Sequence, residues 1–90
     1  MQRCSRFTGK AVLVTGATRG IGFAIAKAFQ HEGALVAING KSDEGLKRAL
    51  KQLKGVIGAK GDLSTVSGCK TVVSATLEAF GKLDILVNNA

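Results

Sequence analysis

Apolar residues in this chain come in two patterns, short continuous runs and longer stretches with helical spacing, and the two alternate from end to end. After a short polar lead-in, 1–10, residues 11–15 (Ala-Val-Leu-Val-Thr) run without a polar break into a turn, the mark of a strand buried on both faces. From about 20 to 32, Ile21, Ile25, Ala28 and Phe29 recur at helical spacing, and Gly33 follows as a C-terminal cap. Residues 34–39 read as a second strand, and Gly40 and Ser42 break it. Ser42, Asp43 and Glu44 then supply a cap and negative charge at the start of a helix carrying Leu46, Leu50 and Leu53, which Gly55 ends. A short third strand covers 56–60. Ser64 is the expected N-cap of a long helix with apolar face Val66, Cys69, Val73, Leu77 and Phe80. Gly68 inside it costs about 1 kcal/mol against alanine, and close packing is the only reason its position suggests. Gly81 caps that helix, and Leu83, Ile85, Leu86 and Val87 form a fourth buried strand before Asn88-Asn89-Ala90.

Strand–helix alternation of this kind predicts an α/β fold, a doubly wound parallel sheet with right-handed crossovers. The expected strand order is 3-2-1-4, with helices on both faces. Ninety residues suffice for one small domain, and neither an internal repeat nor a low-complexity linker divides them.

The junction after the first strand carries the chemistry. Gly16-Ala17-Thr18-Arg19-Gly20-Ile21-Gly22 lies between a buried strand and a helix. A tight turn there leaves backbone N–H groups unpaired at a helix N-terminus, where the helix dipole favours phosphate. Glycines serve where the backbone needs φ > 0, where it approaches a pyrophosphate, and where helix and strand pack closely. The bland alternative is a tight loop with no ligand. The strand before and helix after, all within ~30 residues, favour a dinucleotide.

Composition excludes some alternatives. With 13 Lys+Arg against 6 Asp+Glu the net charge is +7, which raises nucleic acid as a partner. The basic residues are scattered, however, and the four phenylalanines sit in apolar patterns with no stacking platform, so no nucleic-acid site is expected. Cys4 and Cys69 lack metal-ligand spacing, and His31 has no neighbouring His or Cys in the sequence, so no metal is expected. No apolar run is long enough for a bilayer and no signal-peptide pattern opens the chain. Two reduced thiols and a cytoplasmic location are the expectation.

Three segments together resemble the N-terminal part of the short-chain dehydrogenase/reductase family. Thr15-Gly16-Ala17-Thr18-Arg19-Gly20-Ile21-Gly22 is similar to its TGxxxGxG, Asp62-Leu63 stands where the family meets the adenine ring, and Asp84-Ile85-Leu86-Val87-Asn88-Asn89-Ala90 is similar to its strand ending in NNAG, without the last glycine. The similarity runs over 7–90 and implies a Rossmann-type sheet. It implies that Gly16, Ala17, Thr18, Arg19, Gly20, Ile21 and Gly22 hold the pyrophosphate and adenosine ribose. Asp62 would accept from the adenine amino group, with Leu63 lining the ring, and Asn89 and Ala90 would approach the nicotinamide-side ribose. Asn88 would tie the sheet together. A competing role for Asp62 is capping the helix that follows.

Cofactor choice follows from charge. An NAD-preferring site places an acid at the end of the second strand, about 20 residues past the glycines. That stretch here is Ile38-Asn39-Gly40-Lys41-Ser42, without an acid, and Asn39, Gly40, Lys41 and Ser42 are expected at the cofactor. Lys41 and Ser42 suit a 2′-phosphate, and Arg19 adds a second cation. The pattern resembles NADP-preferring members, with NAD the less favoured cofactor; the competing reading makes Lys41 and Arg19 solvated surface charges. Asp43 and Glu44 fit better in the first turn of the next helix.

The family's catalytic serine and YxxxK motif have no counterpart, since these residues contain no tyrosine. The resemblance therefore implies the cofactor half of an oxidoreductase acting on a carbonyl or alcohol, with the catalytic half absent. The alternative is a non-catalytic nucleotide-binding or interaction fragment. The fourth strand would be central in a complete sheet, and its unpaired apolar edge would invite self-association. Ketone reduction needs a proton donor beside the developing alkoxide, whose placement contributes roughly 10²–10⁴-fold. The ninety-residue chain, assayed with NADPH and a panel of ketones, is accordingly expected to show only the background rate. Substrate-dependent NADPH oxidation would mean that the active site lies elsewhere in these residues.

Overall fold

A computed structural model describes residues 6–89 of the chain. Cys4 and Ala90, both named above, lie outside the described residues. The elements run β1 (Ala11–Val14), α1 (Gly20–His31), β2 (Leu35–Gly40), α2 (Asp43–Gln52), β3 (Ile57–Lys60), α3 (Val66–Phe80) and β4 (Ile85–Val87). The four strands form one sheet in the order β3-β2-β1-β4, and every pairing is parallel. Strand β1 is internal, with Val12 opposite both Val36 of β2 and Ile85 of β4. The expected order and sense are those observed.

Alternation along the strands divides the core in two. Val12, Val14, Val36 and Ile38 face one side, where they meet Ala26 of α1 and Leu46, Ala49 and Leu53 from α2 and its C-cap. Leu13, Ala37 and Ala59 face the other side, under Val72 of α3. The first side is much the larger. It also gathers Phe7, which meets Phe29 edge-to-face with ring centroids 4.9 Å apart. The described end of the lead-in is thus docked: Phe7 N–H donates to Glu32 O, and Arg6 holds the Glu32 carboxylate with two hydrogen bonds.

Helix α1 is rotated from the face its apolar spacing predicts. Gly22 and Ala26 are buried against the sheet, Phe23, Ile25 and Phe29 are half-buried, and Ile21 and Ala28 point outward, Ile21 with 74% of its surface exposed. The glycine turn sets this rotation, because it brings the first helical turn close against the end of β1, where only small residues fit.

Helix α3 departs from expectation in two ways. Its N-cap is Thr65, whose Oγ1 accepts from Gly68 N–H at 2.9 Å; Ser64 instead bonds back to Asp62. Its buried ridge is Val72 and Thr76; of the predicted stripe, Val66, Cys69, Val73 and Leu77 face outward and Phe80 is half-buried against the core. Gly68 explains the rotation. A Cβ there would lie 1.9 Å from Asp62 O, so the helix can reach the β3–α3 loop only through a glycine. Gly68, Val72 and Thr76 are spaced by four and share one face. The buried Thr76 hydroxyl donates to Val72 O at 3.0 Å, which removes the cost of burying it.

Strand β4 is not the buried strand expected. It is an edge, with Ile85 and Val87 half-buried toward α1 and Leu86 57% exposed on the α3 side. Asp84 anchors it, donating its backbone N–H to Ala11 O at 2.9 Å and accepting from Ala11 N–H through its carboxylate at 2.8 Å. That bond, with the Lys82 ammonium beside it, holds the Asp84 carboxyl below its usual range.

Two effects oppose each other at Gly68. Helix propensity favours Gly68→Ala by about 1 kcal/mol. Forcing a methyl against the Asp62 carbonyl costs roughly 1–3 kcal/mol. Gly68→Ala is therefore expected to lower the urea midpoint, and a raised midpoint would show that the loop yields freely.

Candidate functional site

The C-terminal ends of β1, β2 and β3 open into a cleft of about 610 Å³. In a parallel α/β sheet this is where ligands bind, outside the carboxyl ends of the strands. The glycine loop forms one wall, the β2–α2 turn and α2 a second, and Asp62-Leu63-Ser64 a third.

The glycine loop is held by its neighbours. Gly16 N–H donates to Asn39 Oδ1 at 3.2 Å, and Asn89 Nδ2 donates to Gly16 O at 3.1 Å. Ala17 N–H donates to Asn39 O. Thr15 Oγ1, 3.2 Å from Asn88 Oδ1 and 3.3 Å from Val87 O, accepts from Asn89 N–H at 2.9 Å. The asparagine pair after β4 therefore fastens that strand to the loop. At Gly22 a Cβ would stand 2.4 Å from Gly16 O and 2.6 Å from Asn89 Nδ2, so the helix start can close on the loop only with glycine. Gly20 differs. Its φ is +64°, and a Cβ there would meet nothing within 4 Å. Its glycine serves the turn, and the space beyond it is open.

Helix α1 begins without a side-chain cap. Its N-cap is Arg19, in extended conformation, and no acid lies in its first turn. The other two helices are capped by Ser42, 3.1 Å from Gly45 N, and by Thr65. A side chain supplies an oxygen to the N-termini of α2 and α3, and none does so at the N-terminus of α1.

The cations of the cleft come from three elements: Arg19 before α1, Lys41 after β2, and Arg48 in α2. Among the described residues none of them sits in an ion pair; those pairs join Arg6 to Glu32, Lys60 to Asp43 and Lys82 to Asp84. Asp43 is thus turned to β3, away from the cleft. Among the described residues, the one carboxylate lining the cleft is Asp62. It accepts from Ser64 N–H at 2.9 Å and from the Ser64 hydroxyl at 2.7 Å. These bonds, with Lys41 nearby, hold it below the usual carboxylate range, so it is ionised at neutral pH.

Of the residues expected at the site, Gly16, Thr18, Arg19, Asn39, Gly40, Lys41, Ser42, Asp62 and Leu63 line the cleft. Ala17 is buried beneath the loop, Gly22 is packed behind it, and Ile21 and Asn89 are exposed outside the cleft lining. Ala90 is outside the described residues. Asn39 is spent internally: besides accepting from Gly16, its Nδ2 donates to Ala59 O at 3.1 Å and to Gly61 O at 3.2 Å. Gly45, Arg48 and Ser64 also line the cleft and were not anticipated. The steps Ser42, Gly45, Arg48, three apart from the cap onward, are the signal that finds two of them.

The cleft thus combines a helix start without a side-chain cap, a cationic rim and, among the described residues, a single acid on the opposite wall. A family model described as short chain dehydrogenase matches residues 10–90. L-fucose dehydrogenase of Mus musculus is 42% identical over 90 residues, covering 100% of this chain and 33% of that protein. The crystal structure of L-sorbose reductase from Gluconobacter frateurii, complexed with NADPH and L-sorbose, superposes with a TM-score of 0.89 at 36% identity, over 96% of this chain and 35% of that one. That of 3-ketoacyl-(acyl-carrier-protein) reductase from Brucella melitensis, complexed with NADH, gives 0.82 at 35% identity, over 88% and 33%. The chain belongs to the short-chain dehydrogenase/reductase family and has its Rossmann fold. It spans about a third of the length of the curated relatives it matches. Among the described residues no helix is long and apolar enough to cross a membrane.

Proposed function

We propose that this chain is the NADP(H)-binding portion of an oxidoreductase that transfers hydride between NADP(H) and a carbonyl or alcohol. The observation that carries the NADP(H) reading is the charge of the cleft. Arg19 and Lys41 line it where an NAD-preferring site would place an acid, and the nearest acid in sequence, Asp43, is paired with Lys60 instead. The backbone of 16–22 would take the pyrophosphate and adenosine ribose, Lys41, Ser42 and Arg19 the 2′-phosphate. Asp62 would accept from the adenine amino group with the oxygen that Ser64 leaves open, and Leu63 would line the ring. Asn89 and Ala90 would lie toward the nicotinamide-side ribose. The cofactor, when bound, supplies or accepts the hydride. One of the structural relatives binds NADPH and another NADH, so the rim charges, rather than the fold, support the choice.

A second reading, an interaction fragment, draws on the edge of β4 and the outer face of α3. Leu86, Val73 and Leu77 are exposed together with the unpaired edge of β4. An exposed apolar edge strand is a template for another chain. Two copies related by a two-fold axis would pair their β4 edges antiparallel.

Each reading has a direct test. Lys41→Asp is expected to weaken NADPH binding roughly ten-fold while sparing NADH, since it replaces a charge-assisted contact by repulsion. Equal affinity of the unaltered chain for NADPH and NADH, measured by fluorescence titration, would overturn the preference. For self-association, sedimentation velocity is expected to show a concentration-dependent dimer that Leu86→Lys abolishes. A monomer at the highest soluble concentration would remove that reading.

A further inference from the structure

We propose that Arg48 is a specificity-determining residue, the third cation of a seat for the cofactor's 2′-phosphate. The inference rests on the NADP(H) reading above and adds a residue from an element outside the expected site. Arg48 lies in the second turn of α2, whose other face is fixed by the buried Leu46 and Ala49. The helix therefore cannot rotate to remove Arg48 from the cleft without exposing that core.

The start of α2 is also fixed against the glycine loop. A Cβ on Gly40 would come within 2.4 Å of Thr18 Cγ2, and one on Gly45 within 3.5 Å of Thr18 Oγ1. Thr18 thus packs between β2 and α2, and it is the neighbour of Arg19. Contact of the Thr18 side chain with Gly40 and Gly45 keeps the loop that carries Arg19 beside the elements that carry Lys41 and Arg48. Glu44 stands four residues before Arg48, the spacing of a helical ion pair, yet no pair forms between them. Arg48 lines the cleft with its charge uncommitted to any described carboxylate.

The ligand chemistry follows. A phosphate monoester carries between one and two negative charges at neutral pH and offers three acceptor oxygens. A 2′-hydroxyl carries none. Three cations on separate elements favour the former and gain nothing from the latter. Arginine's fork can also hold two phosphate oxygens at once, which lysine cannot.

The test uses the full chain and two small probes that differ only at the 2′ position, adenosine 2′,5′-bisphosphate and 5′-AMP, titrated by calorimetry. The unaltered chain is expected to bind the bisphosphate more tightly. Arg48→Gln should weaken the bisphosphate by about five- to twenty-fold and leave 5′-AMP within about two-fold. Arg48→Lys should fall between the two. Added salt should weaken the bisphosphate less in Arg48→Gln than in the unaltered chain, because one screened contact is gone. If the unaltered chain discriminates between the probes and Arg48→Gln does so equally well, Arg48 has no part in the seat, while the NADP(H) reading stands. If Arg48→Gln weakens both probes alike, the residue does not set specificity. If the unaltered chain does not discriminate, the NADP(H) reading itself fails and this inference with it. Circular dichroism checks the fold. Should Arg48→Gln lose it, Arg48→Lys, with the stem and charge kept, carries the test: weaker bisphosphate binding with unchanged 5′-AMP supports the seat, and unchanged binding of both overturns it.

Discussion

One residue, Gly16, organises this molecule. Gly16 donates its N–H to Asn39 of β2 and accepts at its carbonyl from Asn89 beyond β4, while the strand that delivers it, β1, lies between those two in the sheet. The loop that opens the cleft is therefore gripped from both flanks. A backbone turn with φ > 0 and few side chains of its own would be loose by itself. Two asparagine amides, each a donor and an acceptor of fixed geometry, supply the rigidity the glycines lack. Asn39 carries the grip further, through Ala59 and Gly61, to the end of β3.

The two faces of the sheet are unequal, and the inequality orders the rest. The α1–α2 face encloses a continuous core in which every inward residue of β1 and β2 is covered. The α3 face holds a cluster of four buried apolar residues, three of them from strands, and leaves Leu86 and a row of α3 residues outside. Apolar burial is the main favourable term in folding, so the cohesion of these residues resides on the first face. The cleft draws two walls from it, and its third, around Asp62, from the less well-covered side.

How far the sequence foretold this varies by residue for physical reasons. Strand β1 was legible because both its faces are covered, so no polar residue interrupts it. Helix α2 was legible because Leu46 and Leu53 both pack inward, matching period to partner. Helix α3 was legible as a helix but not in its orientation. Hydrophobic periodicity reports a stripe, not what the stripe faces, and the residues that pack inward include Gly68, against the β3–α3 loop, and Thr76, which no apolar pattern selects. The glycine motif was legible because strand, turn and helix must follow one another closely. Asn39 was read as a ligand contact because it stands at the end of β2; that its amide is consumed by three backbone groups becomes visible only when three strand ends are placed side by side. Arg48 was missed because a charged residue within an amphipathic helix ordinarily belongs to its solvated side.

Floor and rim of the cleft are made of different material. The floor, Gly16, Asn39 and Gly40, is welded into the strand ends and cannot change without disturbing several elements. The rim, Arg19, Lys41 and Arg48, consists of side chains that hold up nothing. Mutational drift can therefore rewrite the electrostatic character of the opening, reversing its sign or neutralising it, with little penalty in folding. Chains that share this scaffold would be free to vary the charge of that opening, because it lies where stability is indifferent to it.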